Sequence, residues 1–141
     1  MRSIGVRLNV EIKREDNSVT TAALASTGYE SDEAEIHLPL ALARRLGFKL
    51  EGLRSERYFV VGSEVSTFVL GMVEVRVVTQ DRTTEWVKSR AVTVPGEYEV
   101  LLSDALIELL NVEIVRPRSR IWRFRGEDKD RESVEPEYWL D

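Results

Sequence analysis

The chain contains no cysteine and a single histidine, His37. The first absence excludes disulfides, thiolate metal sites and cysteine nucleophiles. The second excludes a histidine cluster and any two-histidine mechanism, and with them a conventional zinc centre. No apolar run approaches the roughly 20 residues that a membrane-spanning helix needs. The first residues, Met1 to Asp16, alternate apolar and polar positions and do not build the apolar segment of a secretion signal. No metal, other cofactor or membrane partner is expected, and the expected location is the cytoplasm.

What is present describes a soluble globular chain. Its 141 residues suffice for one domain that buries a core, and fractions of 43% hydrophobic and 32% charged residues fit that class. The net charge of −5 is unevenly spread: residues 125–141 hold seven acidic and three basic side chains, leaving residues 1–124 almost neutral. Nucleic acid is therefore not the partner that the charge indicates. The chain reads as one domain over 1–124 followed by an acidic tail over 125–141 with an aromatic cluster at its end.

Ile4, Val6, Leu8, Val10 and Ile12 alternate with polar residues, the period of a half-buried strand. Glu15-Asp16-Asn17-Ser18 is turn chemistry, and Val19 to Ala25 predicts the returning strand of a hairpin. Residues 26–35 predict a loop, followed by a short strand over Ile36 to Leu38. Leu38, Leu42 and Leu46 fall on one helical face, with Pro39 in the first turn and Gly47 as the stop. Tyr58 to Val61, Thr67 to Thr79 (interrupted by Gly71), Trp86 to Val94 and Tyr98 to Leu102 predict further strands. Ser103 is placed to cap a second helix from Asp104 to Leu110, ended by Asn111. A last hairpin, Val112 to Val115 and Ile121 to Phe124, turns at Arg116-Pro117-Arg118-Ser119. The sum is a mostly antiparallel β domain with two short helices.

Three segments carry a resemblance. The first is Leu24-Ala25-Ser26-Thr27-Gly28-Tyr29, with Ile36-His37-Leu38-Pro39 and Leu42-Ala43-Arg44-Arg45-Leu46-Gly47 after it. The second is Val61-Gly62-Ser63-Glu64-Val65 before a long strand, and the third is Val100-Leu101-Leu102-Ser103-Asp104-Ala105-Leu106. In this order they resemble the retropepsin-like aspartic proteases, including small prokaryotic members of that superfamily, over roughly residues 4–124. The resemblance implies a closed, six-stranded-type acid-protease β barrel with two short helices. It also implies a homodimer in which each chain supplies half of one active site. The departures fall on the chemistry: the catalytic aspartate aligns with Ser26, the late glycine with Ser103, and the late acidic residue with Ala105.

Aspartic-type hydrolysis needs two carboxylates sharing one proton. A serine hydroxyl is no base near neutral pH, and in a homodimer its substitution removes both acids at once. The implied outcome is a pseudo-protease with no catalytic residue at this loop, serving as a binding or assembly module. In the family, the threonine and glycine brace the dimer axis, so Ser26, Thr27 and Gly28 read as a degenerate loop kept for that role. Gly62, Ser63 and Glu64 read as a flap-like turn, over a cleft for a peptide or protein ligand or as an ordinary hairpin turn.

Other readings compete with this one. Glu30, Asp32 or Asp104 could act as substitute acids of an active peptidase, and Ser26 with His37 is a nucleophile–base alternative. Arg116, Arg118, Arg120, Arg123 and Arg125 crowd Trp122 and Phe124, which suggests a small nucleic-acid-binding β protein; outward arginines protecting an edge hairpin are the plainer explanation. Glu127 to Glu135 has the composition of a disordered segment. Tyr138, Trp139 and Leu140 are expected to dock on this domain, on the dimer mate or on another protein, with the dimer mate as the favoured acceptor.

Overall fold

The computed structural model describes residues 5–25, 28–53, 55–60 and 63–141, with the backbone alone over 55–60 and 63–65. Strands β1 (Val6–Arg14) and β2 (Asn17–Ala25) form the expected hairpin. Arg14 faces Asn17 across the two-residue turn Glu15-Asp16, with Glu15 at φ 54°. Val6, Leu8, Val10 and Ile12 are at most 1% exposed, so the alternation of β1 is the alternation of the barrel wall.

A short strand β3 (Glu35–His37) leads into helix α1 (Leu40–Arg45). Leu42 and Leu46 are fully buried while Arg44 and Arg45 face solvent, as the four-residue spacing predicts. Strands β4 (Ser55–Val60) and β5 (Ser63–Val77) follow, then β6 (Val87–Thr93), β7 (Val100–Leu102) and helix α2 (Asp104–Leu109). The main sheet runs β1-β2-β7-β3-β6-β5-β4, and β5 also pairs with β1 from Val10↔Val77 to Lys13↔Glu74. That extra ladder closes six strands into a barrel and leaves β4 outside it. The fold is thus mostly β, a closed six-stranded barrel with two short helices.

Closure depends on β5 changing partners along its length. It pairs with β4 over its first part, with β6 from Phe68 to Val75, and with β1 from Glu74 to Val77. A bulge between Val69 and Gly71 bends it. Gly71 has φ 146°, and a Cβ there would lie 3.2 Å from Cε1 of Phe48. The interruption visible in the sequence is therefore a backbone requirement and a close ring contact.

Strands β8 (Val112–Arg116) and β9 (Ile121–Phe124) form the predicted last hairpin, and β10 (Arg131–Glu132) adds to β9. Val112, Trp122 and Phe124 belong to the same core cluster as the barrel. The division expected at residue 124 therefore cuts through this second sheet, because Arg131 pairs with Trp122 and Glu132 with Ile121.

The acidic segment also differs from its compositional reading as disordered. Its charges are paired: the Arg131 guanidinium donates to both Asp81 oxygens at 2.8 and 2.9 Å and to Glu127 at 2.8 Å. Arg131 also lies over the Phe124 ring, 4.9 Å from its centroid. These hydrogen bonds to Arg131 hold the Glu127 carboxyl down at about 2, so it stays ionised at neutral pH. Beyond β10 the chain crosses to the barrel. Arg7 N–H donates to Ser133 Oγ at 3.1 Å, and Val134 N–H donates to the Arg7 carbonyl at 3.0 Å. The β5 ladder on β1 spans only Val10 to Lys13, and Ser133 and Val134 take up backbone groups of β1 outside it.

Among the described residues no helix is long and apolar enough to cross a membrane, and no group of three or more acidic or histidine side chains is placed to hold a metal ion.

Candidate functional site

The topology places the loop after β2 against the start of α2. Strand β7 lies between β2 and β3, parallel to β2 (Ala23↔Val100 to Ala25↔Leu102) and antiparallel to β3. The chain that leaves β2 must therefore pass over the end of β7 to reach β3, and α2 begins directly after β7. Ser26 and Thr27 lie outside the described residues; Gly28 is exposed.

From Tyr29 onward the loop is tied to Ser103 and Asp104. Asp104 N–H donates to the Tyr29 carbonyl at 2.8 Å, and Asp104 Oδ1 accepts from Ser31 N–H at 3.1 Å and Ala105 N–H at 2.7 Å. Ser103 is fully buried. Its Oγ caps α2 by accepting from Leu106 N–H at 3.2 Å, as predicted, and also accepts from Glu35 N–H at 3.0 Å. Its own N–H donates to the Glu35 carbonyl at 3.0 Å. One serine thus caps a helix and fastens the strand that follows the loop.

The candidate acids are dispersed by these contacts. The Asp104 carboxylate is engaged with two backbone N–H groups, and Glu30 and Asp32 are exposed on the loop. Sequence reasoning missed Glu35, the buried carboxylate of this region at 5% exposure. It accepts from Tyr29 Oη at 2.6 Å and lies 3.6 Å from Arg90 Nε. A signal existed: a charged residue beside Ile36 at the start of a short buried strand demands a partner.

His37 lies on β3, while Ser26, its partner in the nucleophile–base alternative, is outside the described residues. His37 is 2% exposed, and its Nδ1–H donates to the Glu99 carbonyl at 2.9 Å. Burial pushes the imidazole down to about 4, with the Glu99 hydrogen bond opposing. The unfolded chain, with an ordinary imidazole near 6.5, then binds a proton that the folded chain refuses. Stability is full above about pH 6.5 and falls as pH drops toward about 4, by about 3 kcal/mol in all. Urea midpoints recorded across that window should fall accordingly, and a His37→Gln variant should have a flatter profile.

Of the flap-like turn, Gly62 lies outside the described residues. Ser63 and Glu64 pair with Val60 and Phe59 as the first rungs of the β4–β5 ladder.

The arginine-rich hairpin offers no exposed rings. Trp122 and Phe124 are 3% and 0% exposed and meet edge to face at 5.0 Å. Arg120 donates to the Gly5 and Val134 carbonyls and Arg123 faces Glu113, while Arg116, Arg118 and Arg125 are exposed.

One further feature had no sequence signal, and a second had one but takes a different acceptor from the favoured one. Arg7 and Glu99 form an ion pair with both residues 5% exposed, although Arg7 occupies an outward position of β1. Part of what encloses it lies more than 120 residues away, at Ser133 and Val134. Trp139 docks on its own barrel: its N–H donates to the Tyr98 carbonyl at 2.8 Å and its Nε1–H to Thr21 Oγ1 at 3.0 Å. Tyr138 and Leu140 on either side are 57% and 69% exposed. The docking favoured across a dimer is thus made within one chain for Trp139.

No protein-family model matches this chain, and no curated protein matches it in sequence.

Proposed function

We propose that the chain is a retropepsin-like domain that has lost its catalytic aspartate and acts as a homodimeric binding or assembly module. One observation carries this reading: two segments of the resemblance, over 70 residues apart, meet through Ser103 and Asp104 at the loop that holds Ser26. The closed six-stranded barrel, with β7 threaded between β2 and β3, is consistent with it.

The placement of the carboxylates supports a loss of hydrolysis. Two must share a proton at one point, and those near the loop are committed to N–H groups, bound to Tyr29 and Arg90, or exposed. The brace survives an aspartate-to-serine change, because it needs the threonine and glycine beside it. Trp122 and Phe124 are buried and so offer no surface on which bases could stack, which favours the binding-module reading over the nucleic-acid one.

Light scattering at micromolar concentration should give twice the chain mass of 16.2 kDa. A monomer at that concentration removes the dimer-axis role. Ser26→Asp restores the missing acid, and its peptidase activity relative to the parent reports how much of the remaining half-site is retained.

A further inference from the structure

We infer that the seam between β2 and the segment preceding β7 is an acceptor site for peptides of the pattern Glu-x-Trp, occupied in this structure by the chain's own residues 137–139. This inference does not depend on a dimer axis at the loop after β2 or on the protease resemblance.

The β2–β7 ladder covers only Ala23 to Ala25 on β2. Below it, Ala22 N–H donates to Glu137 Oε1 at 3.2 Å. Thr21 Oγ1 is the acceptor for the Trp139 indole, and the Tyr98 carbonyl is the acceptor for the Trp139 backbone N–H. Arg45 of α1 lies over the indole, 6.0 Å from its centroid. The site thus offers a strand N–H to a carboxylate, a carbonyl to a peptide N–H, a hydroxyl to an indole N–H, and a cation to the ring. Each of these matches one feature of Glu-x-Trp, and the middle residue, Tyr138, is mostly exposed.

The way the segment is held favours exchange. Trp139 is its one side chain packed against the core, while Tyr138 and Leu140 are mostly exposed. Pro136 has no N–H to give, and Glu135, Glu137 and Asp141 keep the released segment soluble. A segment anchored by a single aromatic residue opens more readily than the ladder beside it. The occupant to which this points is the same segment supplied by a second copy of this chain, whose sequence satisfies all four contacts.

The test uses the full chain with Trp139→Ala, which unlatches the segment, and a fluorescent peptide Glu-Pro-Glu-Tyr-Trp-Leu-Asp. The peptide should bind the variant at least about 10-fold more tightly than the parent chain, whose own segment competes. A peptide with alanine for tryptophan should not bind, and adding Arg45→Ala to the variant should weaken binding. Failure of the intact peptide to bind a folded Trp139→Ala chain overturns the inference. Should that variant not fold, hydrogen exchange on the parent decides. The Ala22 and Trp139 amides should exchange about 100-fold faster than core ladder amides such as that of Ile36. Equal protection overturns the inference.

Discussion

Replacing Glu99 with glutamine should lower folding stability by about 3–5 kcal/mol, read from urea denaturation at neutral pH. The substitution leaves Arg7 in a pocket where both partners are 5% exposed. Its guanidinium does not relieve the loss by deprotonating, since arginine stays charged in proteins. In the parent chain, the hydrogen bond to Glu99 raises its pKa further. The backbone of Arg7 is also held by Ser133 and Val134, which fixes the base of the side chain beside Glu99. Replacing both partners, Arg7→Met with Glu99→Leu, should recover most of the loss, because no charge is then left buried. The contrast is Glu11→Gln, which breaks the more exposed pair with Arg76 and should cost at most about 1 kcal/mol. A Glu99→Gln cost as small as that would mean that water reaches the pair.

Ser103→Ala carries the second large effect, about 2–4 kcal/mol. The hydroxyl oxygen accepts from two N–H groups at once, Leu106 at the start of α2 and Glu35 at the start of β3. Loss of a cap alone costs about 1 kcal/mol. The Glu35 N–H, left buried without its acceptor, adds about 1–3 kcal/mol. Ser103→Gly should behave similarly, although glycine is the residue that the family resemblance expects here. Hydrogen exchange distinguishes this account from general loosening: Glu35 and Leu106 amides should lose protection before Val10 or Val75. Because Asp104 and Ser103 together hold the loop after β2, the same variant should weaken self-association if that loop lies on the dimer axis.

Local signals in the sequence were legible where one element determines its own structure. The alternation of β1, the spacing of Leu38, Leu42 and Leu46, the Ser103 cap and the hairpin from Val112 to Phe124 all follow from period and turn chemistry. Asn111 at φ 59° and Gly47 at φ 87° are the expected helix stops. Closure through β1 and β5 joins residues more than 60 positions apart, and no local pattern encodes it. The acidic segment was misread for a related reason. Its composition is that of a solvated tail, but Arg131 finds Asp81 and Trp139 finds Thr21 only once the barrel exists. At the candidate site, the cap at Ser103 could be read from local sequence, whereas the meeting of the loop with Ser103 and Asp104 and the pairing of Glu35 with Arg90 could not. A charge beside Ile36 signals that Glu35 needs a partner, but that the partners are Tyr29 and Arg90 is a property of the assembled sheet.

The proposed loss of the catalytic acid is the claim on which the functional reading turns. Its most direct measurement is hydrolysis of an unfolded protein substrate by the purified protein from about pH 4 to pH 8, a range that includes acid optima. The account predicts no cleavage above the buffer blank at any pH where the chain remains folded. Cleavage that disappears in Glu30→Gln or Asp32→Asn would contradict it, because the loop would then have supplied its own substitute acid.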